Sequence, residues 1–390
     1  MTTVTKKKSS LTITRAAVYL IFFVAGSIFA NWVSRIPQVQ ENLGMSEGIL
    51  GFALLGGSGG VITGLAFASS LIAKYGSRRI TVGGGLLMSM MLAVLGLTVN
   101  FVSLFTALFF LGACTSIMDV AMNAQAVEVE RRLNKPIMSS FHAAWSVGTL
   151  SGALIVSRFA AMDFTVLVHF SIMSLVFFVI ILIAALPLIP IAGEGDEREG
   201  GAIQLPPRIL WPLGAVAFAA AISEGSMADW SGIYLRDIVG TNEASAALGF
   251  AAFSLMMTSM RFAGDWLTAK IGAEWIVRGG GILSATGILL ALLFPNFVMV
   301  LLGFALVGVG AAVIIPLAFS AAGKLPNIAP GRGIAGVATI GYAGFLAGPP
   351  IIGIVADLTS LRFGLILVLF LALSLWFTGR ALRVDKVKVA

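Results

Sequence analysis

Between residues 14 and 381 the chain passes through one apolar run after another, most about 20 residues or longer, with short polar breaks between them. No other feature restricts the fold as much. Hydrocarbon offers nothing to satisfy backbone N–H and C=O groups, so a spanning segment is a helix or part of a closed barrel. Barrel strands alternate apolar and polar side chains over roughly 10 residues. These runs do not alternate, so they predict helices. Charged residues make up only 11% of the chain, against roughly 25% in soluble domains, which excludes a soluble globule.

The pattern places twelve spans at 14–37, 47–73, 80–99, 101–126, 137–160, 164–190, 209–234, 245–269, 275–295, 297–322, 333–357 and 361–381. An even count puts both termini on one side. Under that topology the tail, the even-to-odd loops and the C-terminus hold 20 of the 25 Lys and Arg residues. The opposite loops hold Arg158, Arg236 and Arg362. The positive-inside rule then sets both termini in the cytoplasm. The same asymmetry accounts for the net charge of +7 without nucleic acid as a partner. Lys6, Lys7 and Lys8 precede a full-length first span with no small-residue cleavage site, so no signal peptide is expected. The first dozen residues are expected to be a disordered tail. The single cysteine, Cys114, excludes an internal disulfide.

Residues 192–207 read "AGEGDEREGGAIQLPP", an acidic, Gly-rich linker at the midpoint of the chain. A repeat lies on either side of it. Leu50-Gly51-Phe52 recurs as Leu248-Gly249-Phe250, and "LIAKYG" at 71–76 as "LTAKIG" at 267–272. The triple glycine at 83–85 recurs at 279–281, and Asn100-Phe101-Val102 as Asn296-Phe297-Val298. Several matches in order define two homologous halves. The expectation is an all-α membrane protein with twelve transmembrane helices in two homologous six-helix bundles. Its parts are a cytoplasmic tail (1–13), an N-terminal bundle (14–190), a cytoplasmic linker (191–208), a C-terminal bundle (209–381) and a second tail (382–390).

Two such halves joined by a cytoplasmic linker resemble the major facilitator superfamily over nearly the whole chain. The family's motif between helices two and three, Gly-x-Leu-x-Asp-Arg-x-Gly-Arg-Arg, is matched by "SSLIAKYGSRR" through Leu71, Lys74, Gly76, Arg78 and Arg79. Ser69 replaces its glycine and Ala73 its aspartate. The second copy, "GDWLTAKIG", carries Ala269 in the aspartate slot and Asp265 one turn earlier. The resemblance implies gating roles for Lys74, Arg78 and Arg79. With the acid missing from the motif, Arg261 and Asp265, four residues apart on one helix face, are expected to substitute for it. "SSFHAAWSVGTLSGA" and "GYAGFLAGPPIIG" are similar to poorly characterised bacterial inner-membrane members distantly similar to fucose permeases. Helix five lacks the Gly-Pro of drug antiporters. The family implies alternating access to a substrate site near the midplane.

Ionisable groups inside spans cost about 2.5–3.5 kcal/mol each at the bilayer centre, so each needs a partner or a wet cavity. The repeat sorts them. Asp229 aligns with Asn31, and each precedes a tryptophan, Trp230 and Trp32, so "ADW" and "ANW" read as a shared device. Glu224, Asp119 and His142 align with Gly26, Ile315 and Ala338, which marks them for asymmetric chemistry such as proton coupling. Glu224 lies roughly 22 Å along helix seven, near mid-bilayer. Asp119 has Asn123 one turn on, and His142 should lie at similar depth on the next helix. That pair is either a proton relay or a structural hydrogen bond. His169 reads as packing or snorkelling, and Arg35 either attracts an anionic substrate or marks the outer interface. Asn31, Trp32, Asn123, Trp145, Asp229, Trp230 and Tyr342 are candidate substrate contacts, since indole faces stack on sugar rings and bind cations.

No Walker sequence, metal-ligand cluster or Ser-His-Asp order occurs, so neither an enzyme nor a cofactor is expected. The expected function is proton-coupled secondary transport of a small polar solute, possibly a sugar or sugar-like compound, by a monomer in the bacterial inner membrane. The alternative is proton-driven efflux of hydrophobic or cationic compounds; a channel or receptor fits less well.

Overall fold

The computed structural model describes residues 2–133, 137–190, 206–325, 328 and 330–383. Regular structure among the described residues is entirely helical. Contacts divide the chain into two compact units, residues 1–45 with 52–200 and residues 46–51 with 201–390.

The first unit contains α1 (Thr2–Val33), α2 (Ile36–Leu43), α3 (Glu47–Tyr75) from Phe52 onward, α4 (Ser77–Gly96), α5 (Phe101–Leu133), α6 (Met138–Ala161) and α7 (Val166–Ala185). α1 begins at Thr2, where the sequence suggested a disordered tail. It stops at Val33, four residues short of the expected span end. The short helix α2 restarts after Pro37 enters its first turn and closes on Gly44 at φ +59°.

The second unit contains the first residues of α3, then α8 (Trp211–Ile233), α9 (Glu243–Ile271), α10 (Ala273–Leu293), α11 (Phe297–Ala311), α12 (Ile314–Ala322), α13 (Pro330–Leu358) and α14 (Leu361–Thr378). α8 runs on into a π-turn at Tyr234–Ile238. α11 and α12 form one broken span, Phe297–Ala322. The expected linker is mostly outside the described residues, which resume at Pro206.

Among the described residues, eleven segments are long and apolar enough to cross a membrane. The twelfth expected span is α6, 24 residues long and interrupted by polar side chains such as His142, Ser146 and Thr149. At 1.5 Å per residue it is about 36 Å long, enough to cross.

The sequence repeat has a physical basis in both halves. Gly76 and Gly272 end α3 and α9 in the same backbone state, at φ +81° and +89°, a region that disfavours any side chain. Asn100 and Asn296 cap α5 and α11. Each Oδ1 accepts a backbone N–H three residues on, from Ser103 at 2.9 Å and Met299 at 3.1 Å. Other repeated glycines let helix backbones touch. A Cβ on Gly112 would collide with the Gly57 carbonyl, and one on Gly308 with the Phe253 carbonyl. This close packing of α5 on α3 and α11 on α9 is the small-residue contact typical of membrane helices.

Candidate functional site

The charged residues that break the repeat in the second unit converge on one place. Proline 316 sits in the first turn of α12. In an unbroken helix its N–H would bond the carbonyl of Ala312, but proline has none, and the helix breaks at Ala312–Val313. The carbonyl left over accepts from Nε of Arg261 on α9 at 3.2 Å. Arg261 also points a terminal nitrogen at Glu224 of α8, 3.9 Å from Oε2. The other oxygen of Glu224, Oε1, is buried with no hydrogen-bond partner. Three helices thus meet through one guanidinium. Arg261 thus reaches α8 and the helix break; the side chain of Asp265, its expected partner, lies outside the described residues.

The other sites expected on α8 and α13 are placed as follows. Asp229 is half-buried one turn and a half beyond Glu224. Trp230 is fully buried and its Nε1–H has no acceptor. Tyr342 is exposed, its ring 6.5 Å from that of Phe345.

In the first unit, Asn31 donates from Nδ2 to the Ser27 carbonyl at 2.8 Å, and its Oδ1 is unpartnered. Trp32 is buried. Trp145 stacks on Phe29 with centroids 6.1 Å apart. Asp119 is exposed on α5 and accepts from Asn123 Nδ2 at 3.2 Å. His142 is exposed on α6, edge-on to Phe22 at 5.3 Å.

The motif between α3 and α4 has a definite architecture. Arg78 donates to the carbonyls of Ala185 and Leu186, at 3.2 and 3.3 Å, and so caps the end of α7. Lys74 stands 5.2 Å over the ring of Tyr75, and Arg79 is exposed. Beside them Gln125 donates to Ser77 Oγ and the Ile189 carbonyl, both at 2.8 Å, and accepts the Ile189 N–H at 3.0 Å.

Two groups that seemed unrelated in the sequence form a buried pair. Arg35 is 1% exposed and bonded to His169, Phe164 and Gln38. Sequence reading also missed the helix break, although a proline inside an apolar run was its signal. Among the described residues no group of three or more His, Cys, Asp or Glu could hold a metal ion.

Two repeated halves of apolar helices, with small-residue packing and ionisable groups inside the spans, are the architecture of a multi-pass membrane protein. The Major Facilitator Superfamily model matches residues 16–236. The chain belongs to that superfamily. It is 34% identical over 357 residues to an uncharacterized MFS-type transporter of Yersinia pestis, covering 91% of this chain and 92% of the relative. It is 35% identical over 359 residues to an uncharacterized transporter of Sinorhizobium fredii, covering 90% and 94%. A mutant of the nucleoside transporter NupG superposes with a TM-score of 0.81 at 10% identity, covering 95% and 99% of the two chains. The superfamily binds small-molecule substrates and carries out transport, not enzymatic conversion.

Proposed function

We propose that the protein moves a small polar solute, with a sugar or sugar-like compound as the first candidate, by alternating access driven by protons. Glu224 is assigned as the proton-exchanging carboxyl. The observation that carries this reading is its setting: a carboxyl inside the 208–238 span, with one oxygen unpartnered and the other 3.9 Å from Arg261. A charge at such depth is costly, so a carboxyl held by one long ion pair is suited to taking up and releasing a proton. The same ion pair argues against efflux of cationic compounds, because Arg261 already supplies the positive partner. Asp119 and His142, both exposed in the first unit, are assigned as a second titratable pair, with Asn31, Asn123 and the tryptophans orienting substrate. The excess of Lys and Arg in one set of loops supports an inner-membrane protein with cytoplasmic termini, and we take it to act as a monomer.

The test has two stages. A thermal-shift screen of the purified protein against sugars, polyols, nucleosides, amino acids and organic acids identifies a ligand through a saturable rise in melting temperature. Proteoliposomes then receive that ligand with and without an imposed pH gradient. Gradient-driven accumulation that Glu224→Gln abolishes supports the assignment. Accumulation that the variant leaves intact removes Glu224 from the coupling mechanism.

A further inference from the structure

The helix break at Ala312–Val313 and the ion pair at Glu224 belong to one device. Pro316, Arg261 and Glu224 have no counterparts in the first half of the repeat. Glu224 aligns with Gly26, Pro316 with Val120, and Arg261 with Thr63 or Leu65. The corresponding span there, α5, runs unbroken from Phe101 to Leu133. Three independent departures from the repeat have come together at one guanidinium.

Geometry explains why the break is needed there. An arginine side chain has several freely rotating bonds, and an ion pair at 3.9 Å fixes it weakly. The Ala312 carbonyl accepts from Nε, the nitrogen nearest the chain, and leaves a terminal nitrogen free to face Glu224. Packing supports the same alignment. Gly264, one turn along α9 from Arg261, leaves room for Val313, whose Cγ1 would lie 2.5 Å from a Cβ placed there. The side of α9 that carries Arg261 is therefore seated directly on the break.

We propose that Arg261 is a positioning residue for Glu224, and that Pro316 acts at a distance on that carboxyl by freeing the carbonyl that aims the guanidinium. This deepens the reading of Glu224 given above, but it concerns only the state of the carboxyl and not whether proton movement drives transport. Restoring an N–H at position 316 lets the helix satisfy Ala312 itself. Arg261 then loses its acceptor and its alignment. Glu224 loses its charged neighbour, although neither residue has been altered.

The experiment measures modification of Glu224 by dicyclohexylcarbodiimide, which attacks protonated carboxyls in apolar surroundings. The full-length protein in detergent is labelled at pH 7.5, and the Glu224 peptide is quantified by mass spectrometry. Glu224→Gln supplies the blank. Arg261→Gln is expected to raise the labelling rate about tenfold, because the cation that favours the ionised carboxyl is gone. Pro316→Ala is expected to raise it in the same direction, and Pro316→Ser, which also restores the N–H, serves if the alanine variant does not fold. Arg261→Lys keeps the charge but lacks the Nε donor, so its labelling should fall between wild type and Arg261→Gln. Wild-type labelling in both Pro316 variants alongside raised labelling in Arg261→Gln would overturn the link between break and carboxyl. Unchanged labelling in Arg261→Gln would overturn the positioning role itself. Proteoliposome flux that ignores the pH gradient would leave these labelling results standing, so the two readings fail separately.

Discussion

Arg35 donates its Nε–H to Nδ1 of His169 across 3.2 Å, and both side chains are buried. A nitrogen that accepts carries no proton, so the ring holds its proton on Nε2 and is neutral. The same guanidinium donates to the Phe164 carbonyl at 2.9 Å and to Gln38. The ring stacks on Phe159 with centroids 4.5 Å apart. Arg35, just past the end of α1, is thereby tied to α7 and to the segment that precedes it. Removing the acceptor leaves a buried donor unmade. His169→Leu is expected to lower unfolding stability by about 1–3 kcal/mol. His169→Gln, which can still accept, should lose less. Denaturant titration of the purified protein in detergent distinguishes them; equal losses would mean that the ring contributes packing alone.

The two capping asparagines make a paired prediction. Asn100→Ala and Asn296→Ala each remove an accepted backbone N–H at equivalent helix starts. Each should cost about 1 kcal/mol, and the Asp variants should cost less. The positions are far apart in sequence and share no partner, so the double variant should show additive loss in thermal unfolding.

Those asparagines show which parts of the fold were legible. Span-length apolar runs, capping residues and turn glycines act locally, so their signals lie within a few neighbouring residues. The repeat could be read because Gly76 and Gly272 serve the same backbone turn, and Asn100 and Asn296 the same cap. The site was less legible because its contacts are distant in sequence. Arg35 and His169 are 134 residues apart, and nothing local in either predicts the other. Arg261 was assigned to Asp265 because four-residue spacing is visible in a sequence. What the sequence did not show is that it also donates to a backbone carbonyl 51 residues away, freed by a proline whose effect depends on which helix faces it.

Glycine substitutions test the packing. Gly112→Ala places a Cβ against the Gly57 carbonyl, where backbone must move. A loss of about 1–3 kcal/mol is expected, with a similar loss for Gly308→Ala against Phe253. Gly83 belongs to the repeated triple glycine, yet a Cβ there meets nothing within 4 Å. Gly83→Ala should be neutral or stabilising by about 0.5–1 kcal/mol, since alanine favours a helix interior. A melting-temperature series of the three variants decides the matter. Loss at Gly83 equal to that at Gly112 would show that conformation rather than contact makes these glycines necessary.

Gln125 offers the sharpest test of the region around the motif between α3 and α4. It is fully buried and makes three hydrogen bonds, one to Ser77 Oγ and two to the backbone of Ile189. Arg78 holds the carbonyls of Ala185 and Leu186 a few residues earlier. The two side chains therefore grip consecutive parts of the exit from α7, one from α4 and one from α5. Gln125→Leu keeps approximate volume but leaves both backbone groups of Ile189 without these partners, and should cost about 1–3 kcal/mol. Arg78→Ala alone should cost less, because one of its two bonds is solvent-exposed. If both act by holding the same segment, the first variant already releases it, and the second then has less left to lose. The double variant should therefore be more stable than the sum of the single losses implies, by about 0.5 kcal/mol or more. Strict additivity in a double-mutant cycle would show that Ala185–Leu186 and Ile189 are held independently. The motif arginine would then act only on the end of its neighbouring helix.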